Sequence, residues 1–149
     1  MKQVLNCNRE LGFWGPWITE RTLSLAEADN GATLLDVHGG HFLACFIEAM
    51  GESFASVSAV METRFPDYQV TPASGEPPKS DETFKRTCED NIAISGTLKS
   101  GAVASLHFRS GLSTTKPGRT PFLWLIDGTE GTIKAEDDDL QLEKPSEIY

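Results

Sequence analysis

Asn91-Ile-Ala-Ile-Ser-Gly-Thr-Leu98, Lys99-Ser-Gly101 and Ala102-Val-Ala-Ser-Leu-His-Phe-Arg109 are consecutive: two runs of alternating apolar and polar residues around a short turn. Successive side chains on a strand point to opposite faces, so this pattern predicts a β-hairpin with one buried face. Downstream, Pro121-Phe-Leu-Trp-Leu-Ile-Asp127, the turn Gly128-Thr-Glu-Gly131 and Thr132-Ile-Lys-Ala135 repeat the strand, turn, strand order. Leu140 and Leu142 are expected to supply a last edge strand.

Upstream, Val57, Ala59, Met61, Thr63 and Phe65 interleave with Ser56, Ser58, Val60, Glu62 and Arg64 in the same two-residue rhythm. Before them, Gly40-His-Phe-Leu-Ala-Cys-Phe-Ile-Glu-Ala-Met50 carries Phe42, Cys45, Phe46 and Ala49 at helical spacing, and Gly51 stands where a helix stops. Its apolar content predicts a helix buried against a sheet. A short strand over residues 3–8 and a short helix over residues 20–28 complete the reading. Residues 66–89, with Pro66, Pro72, Pro77 and Pro78, are expected to form a mobile loop. Sequential strands joined by short turns predict one α+β domain over residues 1–149, with a single open, mainly antiparallel sheet and helices packed on one face. The other face must be solvated, occupied by ligand or paired with another subunit.

The 149 residues fit one domain, and 13 Lys+Arg against 22 Asp+Glu give a formal net charge of -9. That sign repels phosphate backbones and anionic lipid surfaces, so neither nucleic acid nor membrane is an expected partner. Cys7, Cys45 and Cys88 are scattered and form no CxxC, which suggests neither disulfides nor zinc and points to a reducing, cytoplasmic setting. The opening MKQVLNCNRELG has no signal-peptide character, and no apolar run is long enough for a membrane helix.

Asn30-Gly-Ala-Thr-Leu-Leu-Asp-Val-His-Gly-Gly-His41, leading into the apolar helix, resembles the C-terminal domain of the Gfo/Idh/MocA oxidoreductase family. The segments Glu89–Gly111 and Phe122–Lys134 are nearest its fungal galactose-pathway repressor branch. Family members begin with a Rossmann domain, yet these residues contain no GxGxxG, and Glu143-Lys-Pro145 stands out of the family's context. No nicotinamide or other cofactor is therefore expected. Asp36 precedes His41 by five residues, one more than the family's usual spacing, and the resemblance aligns His41 with the family's helix-entry histidine.

In the first turn of a helix, the dipole would hold His41 neutral and suited to general acid or base work; capping or packing is the plain alternative. If Asp36 and His38 lie on a strand they share a side, and the aspartate could orient the imidazole. A metal held by these three is not expected, since no distant fourth ligand accompanies them. His107 and Arg109 alternate with Leu106 and Phe108 and could bind an anionic or carbonyl ligand, while Phe13, Trp14 and Trp17 could wall an apolar pocket or plug the core. These residues suggest a cofactor-independent enzyme of the isomerase, cyclase or lyase kind, acting on a small molecule through His41, Asp36 and His38. A homodimer through the open sheet face is the expected assembly; the rival functions are a non-catalytic regulatory or dimerisation module and a truncated NAD(P)-dependent oxidoreductase.

Overall fold

The computed structural model describes residues 4–10, 17–72, 83–110, 122–137 and 147–148. Helix α1 covers Gly40–Met50 and ends as its sequence dictates: Gly51 adopts a left-handed φ of 67°, and its N–H donates to the Glu48 carbonyl at 3.2 Å. Strand β3 follows over Phe54–Glu62, and β6 (Asn91–Leu98) and β7 (Val103–Arg109) form the hairpin expected from their alternation. The second expected hairpin is β8 (Phe122–Gly128) with β9 (Gly131–Asp137).

With β1 (Val4–Glu10) and β10 (Glu147–Ile148), these strands build a seven-stranded sheet in the order β10-β9-β8-β1-β7-β6-β3. Strand β1 lies in its middle, parallel to β7 and antiparallel to β8. The remaining pairs are antiparallel. The expected edge strand at Leu140 and Leu142 lies outside the described residues.

Alternation places Ile92, Ile94 and Leu98 of β6 with Ala104, Leu106 and Phe108 of β7 in the core, together with Leu34 and Phe46 from the helical segment. Their strand neighbours Ala93, Ser95, Val103 and Ser105 are exposed. The Phe46 ring stacks on Phe54 with centroids 5.7 Å apart. Burying such a ring contributes about 1.5–3 kcal/mol. Helix α1 is less enclosed than its composition predicts: Phe46 is buried and Phe42, Leu43 and Met50 are half-buried, while Cys45 and Ala49 are exposed. The apolar stripe thus runs one position away from the one expected from spacing.

The expectation of a single sheet is corrected. A second, three-stranded sheet joins β2 (Trp17–Thr19), β4 (Asp67–Thr71) and β5 (Thr83–Lys85) in the order β2-β4-β5. Two of its strands fall in the stretch expected to be a loop. Pro66 and Pro72 bracket β4 instead of interrupting it, and prolines just outside a strand remove no ladder hydrogen bond. Ile18, Ala26 and Tyr68 form a separate small core with Leu23, Val70 and Phe84 around it. The helix expected near residues 20–28 is a 3₁₀ segment over Glu20–Ala26, followed by another over Ala28–Asn30. No helix among the described residues is long and apolar enough to cross a membrane.

Candidate functional site

The segment leading into α1 is not a strand. Leu35–Gly39 forms a π-helical turn continuous with α1, so Asp36 and His38 are not alternating residues on one side of a strand. The Gly39 N–H donates to the Leu34 carbonyl at 2.8 Å, five residues back. Gly39 is buried, and a Cβ there would press on the Leu34 carbonyl and the Leu35 side chain at 3.2 and 3.3 Å. A π turn accommodates one residue beyond the α-helical repeat, which equals the extra residue separating Asp36 from His41.

Thr33 caps this helical run. The Asp36 N–H donates to Thr33 Oγ1 at 3.3 Å, while Thr33 Oγ1 and Thr33 N–H donate to Asp36 Oδ2 at 2.8 and 3.4 Å. This reciprocal pattern is a capping box. A second carboxylate joins from far along the chain, as Glu89 Oε1 accepts the Leu35 N–H at 2.9 Å. Asp36 is thereby engaged as a cap. His41 is exposed, and because the helical backbone starts at Leu35 it lies past the first turn, where the dipole no longer acts strongly on the ring. His38 is half-buried and lies within the π turn.

On the strands, His107 and Arg109 do alternate with buried Leu106 and Phe108, and His107 Nε2 lies 2.9 Å from Asn91 Oδ1. Trp17 begins β2 opposite Gln69, and Phe13 and Trp14 lie outside the described residues. The structure therefore brings Asp36, His38 and His41 onto one helical run and leaves His107 and Arg109 on the sheet. An open hollow of about 380 Å³ lies elsewhere, at the β8–β9 turn, lined by Gly128, Thr129, Glu130, Gly131, Thr132 and Ile133. Among the described residues, no group of three or more His, Cys, Asp or Glu is arranged to hold a metal ion.

Sequence reasoning missed a buried polar cluster centred on Arg86. Its guanidinium donates to the Tyr68 hydroxyl, to Ser110 Oγ at 3.3 Å, and to the Cys88 and Glu89 carbonyls at 3.0 and 2.6 Å. Asp90 stands 3.8 Å from it, and both side chains are wholly buried. The Asp90 carboxylate also accepts the Arg64 and Phe65 N–H groups at 2.9 and 2.8 Å. Burial pushes the Tyr68 hydroxyl and the Cys88 thiol up in pKa, and the Arg86 charge opposes this in both. The one signal was the i,i+4 spacing of Arg86 and Asp90 inside a stretch whose prolines suggested a loop.

The fold built around this seven-stranded, largely antiparallel sheet is shared with solved oxidoreductases, among them an oxidoreductase domain protein from Kribbella flavida with a TM-score of 0.64 at 16% identity, over 99% of this chain and 40% of that one. The chain belongs to the Gal80p C-terminal domain-like family, which matches residues 3–137. It is 27% identical over 115 residues to the galactose/lactose metabolism regulatory protein GAL80 of Kluyveromyces lactis, covering 76% of this chain and 24% of that protein. Gal80p of Saccharomyces cerevisiae, as a super-repressor mutant, shares the fold with a TM-score of 0.79 at 19% identity, over 98% of this chain and 40% of that one. Levoglucosan dehydrogenase in its apo form gives a TM-score of 0.65 at 15% identity, again over 98% and 40%. This chain thus spans about a quarter of the curated relative and two fifths of the solved ones. None of these relatives supports the cofactor-independent isomerase, cyclase or lyase reading.

Proposed function

We propose that this chain is a non-catalytic regulatory module that associates with a second copy through the face of the large sheet turned away from Phe46. The observation that supports this is the composition of that face. Cross-strand pairing aligns Val60, Ala93 and His107 in one row, Ser58, Ser95 and Ser105 in the next, and Ser56, Thr97 and Val103 in a third. Val60 and Val103 are 70% and 50% exposed. Small side chains let two sheets approach to about 10 Å, and Val60 and Val103 supply apolar contact, while Glu62 and Arg109 stand in the adjoining row on either side of Asn91. Kinship with a regulatory protein favours this reading over catalysis.

Sedimentation velocity tests it. At low concentration the wild-type chain is expected to sediment as a dimer and Ser105→Arg as a monomer of unchanged circular dichroism; a wild type that is monomeric at every concentration refutes the proposal.

A second reading, the substrate half of an NAD(P)-dependent oxidoreductase, draws on the fold shared with levoglucosan dehydrogenase. It requires the nucleotide to be bound by other residues. Titration with NADPH, followed by tryptophan fluorescence, would favour this reading if binding saturates.

A further inference from the structure

Strand β3 stands at one end of the seven-stranded sheet and pairs with β6 on one side. Among the described residues, no strand pairs with its other side. Every residue from Ala55 to Glu62 is exposed, with Val57 at 62% and Met61 at 54%. Free sheet edges are ordinarily blunted by charge, proline or a bulge in mid-strand, because their unpaired N–H and C=O groups template another strand. From Phe54 to Met61 there is neither a charged residue nor a proline. The pairing irregularity lies at the start, between Phe54 and Ser56, so Val57–Glu62 presents a regular edge.

We propose that β3 pairs antiparallel with β3 of a second copy, about a two-fold axis at Ala59. In that register Val57 faces Met61 and Ser58 faces Val60. Val57, Ala59 and Met61 lie opposite Gly96, Ile94 and Ile92, so the reversed partner strand extends the same apolar row across the joint. Charge complementarity favours a second copy as the occupant. Glu62 faces the neutral Ser56 and is already paired with Arg64 of its own chain at 3.4 Å, and that Arg64 comes opposite Phe54 of the other strand, two positions from its Glu52. Two chains of net charge -9 can thus meet here without opposed like charges. One strand pair falls short of the roughly 1,200 Å² that small stable interfaces bury, so this association is weak and concentration-dependent. It uses a different surface from the sheet face and stands or falls independently of it.

The test is sedimentation velocity over a concentration series, comparing the wild type with Val57→Lys/Met61→Lys and with Ser105→Arg. Both lysines replace side chains more than half exposed, so the fold is expected to persist, which circular dichroism checks. The double variant should lose a concentration-dependent association step that Ser105→Arg retains. In a Cys7→Ser/Cys45→Ser background, which leaves the buried Cys88 as the one native thiol, Ala59→Cys should form a disulfide dimer on diamide oxidation and Ala55→Cys should not. Self-pairing is overturned if the double variant associates like the wild type at every concentration, as it would were β3 covered by another segment or a different partner. It is equally overturned if both cysteine variants cross-link to the same extent.

Discussion

Arg86 donates a buried hydrogen bond to the hydroxyl of Tyr68, tying the loop before the large sheet to a strand of the small one. Its Cζ also lies 5.0 Å from the Tyr68 ring centroid. Removing the guanidinium strands the Asp90 carboxylate and the Tyr68 hydroxyl in a site without water access. Arg86→Met is expected to destabilise the fold by about 3–5 kcal/mol, since a buried charge loses its partner. The two backbone N–H groups on Asp90 soften this loss and place it at the lower end. Urea denaturation measures it, and a loss below about 1 kcal/mol, the usual limit for an exposed pair, would contradict a buried clasp.

The capping box predicts a smaller, additive pair of effects. Asp36→Ala and Glu89→Ala each remove an acceptor from the start of the helical run and should each cost about 1 kcal/mol. The same denaturation series reads both. If Asp36→Ala is neutral, Asp36 is not acting as a cap.

Gly96 predicts a packing conflict. A Cβ there would run into the Ser56 carbonyl and the Phe54 ring, both on β3 where its register shifts. Gly96→Ala should cost about 1–3 kcal/mol through overpacking. Amide exchange should show the loss concentrated in β3; uniform loss across the sheet would count against this origin.

Alkaline pH should weaken the fold. Burial holds the Cys88 thiol above its ordinary 9.0 and the Tyr68 hydroxyl above 10.0. As pH rises past 9.0, the unfolded chain releases these protons first, so the folded state binds more of them and stability declines. The contribution is complete below the ordinary values and vanishes once pH passes the raised ones. The urea midpoint should be level to about pH 8.5 and fall above it, and Cys88→Ala should delay the fall. A midpoint unchanged at high pH would show that neither group is perturbed.

The elements legible in the sequence were those whose pattern is local. β6, β7 and β9 alternate, β8 is a short continuous apolar run closed by the Gly128–Gly131 turn, and α1 carries its own stop at Gly51. The small sheet was illegible because β2 and β5 are three residues each and β4 sits between prolines, so their identity depends on pairing across about 50 residues of chain. The β1 segment was recognisable as a strand, but nothing local announces its parallel match to β7. At the candidate site, His41 and Asp36 were found by motif, whereas the π turn was not, because one extra residue per turn leaves no mark on apolar periodicity. Arg86 was missed because a buried arginine is specified by its partners, Tyr68 on β4, Asp90 just before β6 and Ser110 just after β7.

Placing β1 between β7 and β8 makes the first residues of the chain the seam of the large sheet. During synthesis this strand leaves the ribosome ahead of both of its neighbours and waits, unmated, until about 100 further residues have been translated, and its second edge stays open until about 120 have. Whatever upstream sequence a longer version carries therefore has its outlet through the middle of the sheet instead of at a rim. Fusions or tags placed just before Val4 will load the assembly step that unites the two halves.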